Sequence, residues 1–204
     1  MCWNAEVSMN TFLFAIFGAV FGYMNGFNRK LLLFFTLFSF IQFYEYMIWK
    51  NLNNRQLNKL WSIIGYIIIQ LEPIAAINIL DPSLLKTILY FIYIIPVIIS
   101  VIIYKHDFKT VVGSNGHLAW NWLESPNDLI TKLMWVGWFS CIFIPLIVYG
   151  MKYKYYFPLV FLASVALFTF YNYFKAGVFG TMWCWVSNAI WLYVIYVSIQ
   201  KTHF

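Results

Sequence analysis

The chain has 204 residues, of which 63% are hydrophobic and only 10% are charged, against about 25% charged residues in a typical soluble domain. A water-soluble fold of this length could not bury so much apolar surface, so the composition excludes an ordinary soluble domain. Thirteen Lys and Arg residues outnumber seven Asp and Glu residues. The basic residues stand in small groups at the ends of apolar runs, as loop charges of membrane proteins do. We therefore expect a lipid bilayer as the main partner, and no nucleic acid.

The apolar runs are continuous and about 17 to 25 residues long, which suits helices that cross a bilayer at about 1.5 Å per residue. Strands of a barrel would be about 10 residues long and would alternate strictly between polar and apolar positions. The pattern predicts an all-α fold, a polytopic transmembrane helical bundle that forms one domain over residues 1–204. About seven spans are predicted, at residues 11–27, 31–49, 60–80, 83–104, 129–150, 156–174 and 178–199.

Prolines mark both the ends and the interiors of the predicted spans. Asp81 and Pro82 are expected to cap the fourth span, because Asp accepts a backbone N–H and proline at the first helical position needs no donor. The segment 125–128, Ser-Pro-Asn-Asp, is expected to cap the fifth span in the same way. Three further prolines lie inside spans, where each removes one helical hydrogen bond and predicts a kink: Pro73, Pro96 and Pro145.

Seven spans would place the two termini on opposite sides of the membrane. We call the N-terminal side A and the opposite side B. Side A then holds the loops near 50–59, 105–128 and 175–177, and side B holds those near 28–30, 81–82 and 151–155 and the C-terminus. Arg29 and Lys30 directly follow the first span, which has no basic residue before it, and this favours an external or lumenal N-terminus and a cytosolic side B. Three basic residues between spans two and three oppose that orientation.

Carboxyl groups inside the predicted spans are the most informative feature. A charged side chain at the centre of a bilayer costs about 2.5 to 3.5 kcal/mol and needs a partner or a wet cavity. Counted from the middle of each span, three polar residues are central: Gln70, Glu72 and Asn188. Four others lie roughly 6 to 13 Å toward side A on the same rise per residue: Glu45, Asn172, Lys175 and Cys184.

These polar groups, with Gln42 one turn before Glu45, outline a crevice that opens toward side A. We expect it to bind a small solute, a lipid headgroup or a cation, with Glu72 as the central carboxylate. The longest loop lies over the same side, and three of its residues are expected to form a lid or to anchor in the headgroup zone: His117, Trp120 and Trp122. The alternatives are a neutral Glu72, a Glu45 paired with lysine, and amides that only join helices.

Cys2 and Cys184 both fall on side A and would form a disulfide if that side is oxidising. The cysteines and histidines show no ligand spacing, so we expect no metal and no other cofactor. His117 has no nucleophile at a recognisable spacing, which disfavours an enzyme. Four functions remain open: a binding protein without enzymatic activity, an ion channel or proton-coupled carrier, a structural bundle, and a lipid-modifying enzyme that uses His117 or Cys184. A homo-oligomer is compatible with each of them.

Known seven-span families fit poorly. Rhodopsins hold retinal through a lysine in the last helix, and the ceramidase-like and progestin-receptor-like hydrolases need several histidines within spans; this sequence has neither. Four stretches carry another resemblance: 1–8 (MCWNAEVS), 40–45 (FIQFYE), 116–122 (GHLAWNW) and 183–188 (WCWVSN). In them the chain resembles a group of small multispan membrane proteins encoded by large DNA viruses that infect algae and protists. The resemblance implies a viral origin and no mechanism.

Overall fold

The computed structural model describes residues 4–103, 108–120 and 129–201. Within these ranges the chain is mainly helical, and its strands form one antiparallel two-stranded hairpin. The predicted all-α class is confirmed. In chain order the elements are α1 (Ala5–Met24), α2 (Arg29–Lys50), α3 (Arg55–Ile79), α4 (Leu84–Ile103), β1 (Thr110–Val112), β2 (Leu118–Trp120), α5 (Leu129–Tyr153), α6 (Phe157–Tyr173), a 3₁₀ turn (Phe174–Ala176), α7 (Phe179–Ser187) and α8 (Ile190–Lys201).

In the described part of the chain, six helical stretches are long and apolar enough to cross a membrane. The fourth predicted span corresponds to a shorter apolar helix, Leu84–Ile99. Length and composition are therefore compatible with a multi-pass membrane protein. The six stretches are Ala5–Met24, Arg29–Lys50, Arg55–Ile79, Lys132–Tyr153, Phe157–Ala176 and Phe179–Gln200.

Short polar side chains begin the first four helices. In the first turns of α1, α2 and α3, backbone N–H groups donate to the side-chain oxygens of Asn4, Asn28 and Asn54. At the start of α4, the Lys86 N–H donates to Ser83 Oγ at 3.2 Å. The expected cap by Asp81 is therefore wrong, because Ser83 is closer to the first turn and Asp81 pairs with lysines instead. The expected cap at 125–128 lies outside the described residues.

Aromatic rings fill the middle of the bundle. The ring of Trp183 on α7 lies 5.0 Å from that of Trp138 on α5 and 5.6 Å from that of Phe38 on α2. Both pairs meet edge to face, the arrangement that aromatic quadrupoles favour. All three side chains are buried. This aromatic contact connects three helices at the core.

A glycine lets α2 and α3 approach closely. Gly65 on α3 lies against the ring of Tyr44 on α2, and a Cβ added there would lie 2.7 Å from two ring carbons. The ring cannot shift cheaply, because Tyr44 is fully buried and its hydroxyl shares a 2.7 Å hydrogen bond with Thr110 Oγ1. Gly137 on α5 differs, since a Cβ added there meets no atom within 4 Å.

We expect Gly65→Ala to lower the free energy of unfolding by about 1 to 3 kcal/mol, because the new methyl group overpacks the contact. Gly137→Ala is the matched control, in which the loss of glycine's backbone freedom stabilises the helix by up to about 1 kcal/mol. Thermal unfolding in detergent, followed by tryptophan fluorescence, measures both. Equal midpoints for the two variants would contradict the close approach of α2 and α3.

Candidate functional site

Glu72 on α3 is a fully buried carboxyl group. Among the described residues, neither of its carboxyl oxygens has a hydrogen-bond partner. Gln70, two residues before it, bonds to Tyr93, which is close to the middle of α4, the helix that runs from Leu84 to Ile103. Glu72 is therefore level with the middle of α4, and its depth in a bilayer stays a prediction. Leaving a buried polar group without hydrogen bonds costs about 1 to 3 kcal/mol, and more for a charged group.

Gln70 lies two residues before Glu72 and is bound to Tyr93. The Tyr93 hydroxyl lies 2.6 Å from Gln70 Oε1 and 3.1 Å from the Gln70 backbone oxygen. A phenol has a single proton to donate, so its donation to Gln70 leaves none for Glu72. Gln70 thus joins α3 to α4, as an interhelical amide does.

Proline directly follows Glu72 and removes one hydrogen bond from α3. Pro73 has no N–H, so the carbonyl of Ile69, four residues earlier, loses its helical donor. The indole Nε1 of Trp138 donates to that carbonyl at 3.1 Å. The side chain of Trp138 thereby anchors α5 on α3, one turn before the carboxyl group.

Gln42 and Glu45 are fully buried on one face of α2. Gln42 Nε2 donates to Glu45 Oε2 at 3.1 Å, as side chains three residues apart on a helix can do. Glu45 therefore differs from Glu72 in having an amide donor from its own helix. Lys50 and Lys175, the two lysines considered for the alternative of a paired Glu45, are both exposed.

Asn188 joins α2 to the interruption between α7 and α8. Its Oδ1 accepts a hydrogen bond from Ser39 Oγ at 2.7 Å, and its Nδ2 donates to the Cys184 carbonyl at 2.8 Å. The Asn188 backbone N–H bonds to the Trp185 carbonyl instead, at 3.1 Å. The side-chain amide of Asn188 thus replaces the helical donor that the Cys184 carbonyl would otherwise have.

The hairpin of β1 and β2 packs onto the side-A end of the bundle. Asn58 Nδ2 donates to the Thr110 carbonyl at 2.9 Å, and the Thr110 N–H donates to Asn58 Oδ1 at 3.0 Å. The amide of Asn58 therefore pairs with β1 as a neighbouring strand would. On the other strand, Thr181 Oγ1 donates to the Leu118 carbonyl at 2.8 Å. Helices α3 and α7 thus each hold one strand.

Two predicted lid residues lie on the packed part of this hairpin. The Trp120 ring is buried 6.1 Å from that of Tyr44, so it packs inside the protein instead of facing headgroups. The His117 ring is buried 6.2 Å from that of Tyr173. Burial lowers the pKa of His117, because a charged ring would lose its hydration. The third predicted lid residue, Trp122, lies outside the described residues.

The remaining predicted residues lie apart from Glu72. Asn172 and Lys175 are exposed at the end of α6, where Asn172 Nδ2 donates to the Phe168 carbonyl at 2.7 Å. Cys184 is buried, and Cys2 lies outside the described residues, so the disulfide stays a prediction. No three His, Cys, Asp or Glu side chains in the described ranges are placed to hold a metal ion.

The predicted polar residues fall into two groups. Half-buried Gln70, two residues from buried Glu72, bonds to Tyr93 on α4. Gln42 and Glu45 are buried on α2, and Asn188 reaches the same helix through Ser39. The single crevice stays a prediction. Sequence analysis missed the residues that hold these groups in place, and only the proline at position 73 signalled that a carbonyl four residues earlier needs a donor. The missed residues are Ser39, Asn58, Tyr93, Thr110 and Trp138.

No family model, curated protein or solved structure matches this chain. The resemblance to viral multispan proteins therefore stays a prediction. The functional conclusion rests on the geometry of the buried residues.

We expect Asn58→Ala to release the hairpin, because it removes the hydrogen bonds that Asn58 makes with the buried N–H and carbonyl of Thr110, at about 1 to 3 kcal/mol each. Hydrogen exchange measured by mass spectrometry should become at least about tenfold faster in peptides that cover 108–120. Asn53→Ala, at an exposed position in the turn before α3, is the control. Unchanged exchange in the Asn58 variant would show that the side-chain amide does not hold the strand.

Trp138→Phe should destabilise the protein by about 1 to 3 kcal/mol beyond its loss of ring area, because the Ile69 carbonyl loses its donor. In a Pro73→Ala background the restored N–H of residue 73 can donate to that carbonyl, so the same substitution should be milder by about 1 kcal/mol. Unfolding midpoints of the four proteins in this cycle measure the coupling. Additive effects would mean that the indole does not replace the donor that proline removes.

Proposed function

We propose that this chain is a seven-span integral membrane protein that binds and releases a proton or a small cation at Glu72. The observation that carries the proposal is the full burial of this carboxyl group without a hydrogen bond among the described residues. An isolated carboxylate is strongly disfavoured in a water-free interior, so it either takes up a proton or binds a cation. Both outcomes make Glu72 a site for a positive ion.

The length of α4 supports counting it as a span, which brings the number of spans to seven. This helix runs over 20 residues, which at 1.5 Å per residue is about 30 Å, the thickness of the hydrocarbon core. Its exposed side chains are large and apolar, including Phe91, Ile95 and Ile98. In addition, the start of α2, the connection after α3 and the end of α5 meet through the ion pairs of Asp81, as successive crossings would arrange them.

The second buried carboxyl group provides an internal comparison. Glu45 accepts a hydrogen bond from Gln42, so part of its need for a partner is met within α2. Glu72 has no such amide, and the hydroxyl of Tyr93 is committed to Gln70. We therefore expect a proton or cation to bind at Glu72 in preference to Glu45.

A hydrophobic carbodiimide tests this proposal, because it reaches carboxyl groups within apolar regions and reacts with their protonated form. We expect mass spectrometry of the reconstituted protein to locate the adduct on Glu72. Glu72→Gln should abolish the adduct, and Glu45→Gln, the matched control, should retain it. Raising the pH should slow the reaction, since the protonated fraction falls, and a cation that binds Glu72 should protect it. An absent adduct, or a rate that neither pH nor sodium, calcium or ammonium ions change, would refute the proposal.

A structural bundle is the second candidate, and a specific observation favours it. The amides of half-buried Gln70 and buried Asn188 are both engaged in hydrogen bonds to other helices, which is what a purely structural role requires. Under this candidate Glu72 stays neutral throughout. Liposomes loaded with a pH-sensitive dye distinguish the two: proton flux that Glu72→Gln removes would favour a proton-coupled carrier over a structural bundle.

A further inference from the structure

Three lysines from three helices converge on the connection between α3 and α4 at side B. Lys30 Nζ lies 3.4 Å from the Ile79 carbonyl oxygen and 3.5 Å from that of Leu80. Lys86 Nζ lies 3.1 Å from the same Leu80 oxygen, so two ammonium groups share one acceptor. Lys152 from α5 joins them through a carboxylate in this connection. We call these three residues the lysine cluster.

The lysine cluster carries more positive charge than its surroundings compensate. Its partner carboxylate is Asp81, which bonds to Lys152 and lies 3.7 Å from Lys30. The hydrogen bond from Lys152 and the charges of both lysines hold the pKa of Asp81 below its usual value. Three positive charges less one negative charge leave two, and the carbonyls at the end of α3 supply only about half a negative charge. An anion would complete the cluster.

An apolar surface begins beside the lysine cluster. Leu84, Ile88 and Phe91 lie on one face of α4 at i, i+4 and i+7, with exposed fractions of 76%, 42% and 62%. This face starts two residues before Lys86 and runs from the end of the bundle toward its middle. A molecule with an anionic group and a hydrocarbon chain could therefore contact the lysine cluster and the exposed face of α4 at the same time.

We propose that the lysine cluster binds the phosphate of an anionic phospholipid headgroup, with an acyl chain along the exposed face of α4. Ammonium groups bind phosphate through charge-assisted hydrogen bonds, and each has three N–H donors. Lys30 and Lys152 remain about half exposed, at 47% and 56% of their side chains, so donors are accessible. The inference rests on the proposed membrane insertion, and it does not depend on Glu72.

The sidedness of the charges agrees with this ligand. Arg29 and Lys30 after the first span favour side B in the cytosol, and the cytoplasmic leaflet is the one that carries anionic phospholipids. The lysine cluster would then face the leaflet that contains its ligand.

The test measures lipid affinity by thermal unfolding of the protein in a neutral detergent. Phosphatidic acid, phosphatidylcholine with the same acyl chains, and inorganic phosphate are the three probes. We expect phosphatidic acid to bind about tenfold more tightly than phosphatidylcholine. If inorganic phosphate protects the protein as well as phosphatidic acid does, the proposal that the ligand is a lipid is refuted. If both lipids bind equally, the proposal that the cluster recognises the anionic headgroup is refuted.

Variants separate a lipid site from a general effect of charge. Lys30→Gln with Lys86→Gln should weaken binding of phosphatidic acid by about tenfold or more. Lys59→Gln with Lys109→Gln removes the same charge from exposed lysines at side A, and it should change affinity by less than about twofold. Equal losses in the two double variants would refute the site.

A substitution that is expected to strengthen binding keeps the inference testable even if the double lysine variant fails to fold. Asp81→Asn removes the carboxylate that competes with the lipid phosphate, and it should raise the affinity for phosphatidic acid by about fivefold. A purely structural ion pair would give lower stability and no gain in affinity, which would refute the inference. Glu72→Gln should leave lipid binding unchanged, so the two proposals can fail independently.

Discussion

The structure depends on one constraint: an interior without water must supply a partner for each backbone group that regular structure leaves unpaired. Three irregularities of the backbone create such groups. The proline in α3 frees a carbonyl, the interruption between α7 and α8 frees another, and the hairpin exposes the edge of β1. One side chain meets each need: Trp138, Asn188 and Asn58, respectively. The polar residues of the core are thus placed where the backbone departs from its own hydrogen-bond pattern.

These side chains also decide how the helices pack. Trp138 fixes α5 on α3, Asn188 fixes the last two helices on α2 through Ser39, and Asn58 fixes the hairpin on α3. Between helices in an apolar environment, such bonds and close packing replace the hydrophobic effect as the source of association. Gly65 contributes the close packing, because its missing side chain makes room for the Tyr44 ring. The side chains that pair with the irregular backbone groups are therefore also the ones that join the helices of this bundle.

Hydropathy predicted the helices well and their connections poorly. The second span was expected at 31–49 and α2 runs over Arg29–Lys50, but α1 begins at Ala5, earlier than the expected residue 11. Its first turn contains polar residues that hydropathy excludes and that the Asn4 cap nevertheless stabilises. The three-residue strands are too short for an alternating pattern, and the interruption near Asn188 contains neither proline nor an interior glycine. The position of Glu72 along α3 can be counted from the sequence, whereas the neighbours of its side chain depend on how the helices rotate against each other.

The remaining problem is why Glu72 has no hydrogen-bond partner in the described part of the chain, where the irregularities of the backbone do. As a neutral acid it would have a proton to donate, and as a carboxylate it would have oxygens to fill. The carbonyl that Pro73 frees lies one turn away, but Trp138 occupies it. The hydroxyl of Tyr93 gives its proton to Gln70, two residues before Glu72. These two groups are thus already used by contacts that join helices. The described contacts therefore leave the carboxyl oxygens of Glu72 without a hydrogen bond, and this is the observation on which the proposed ion site rests.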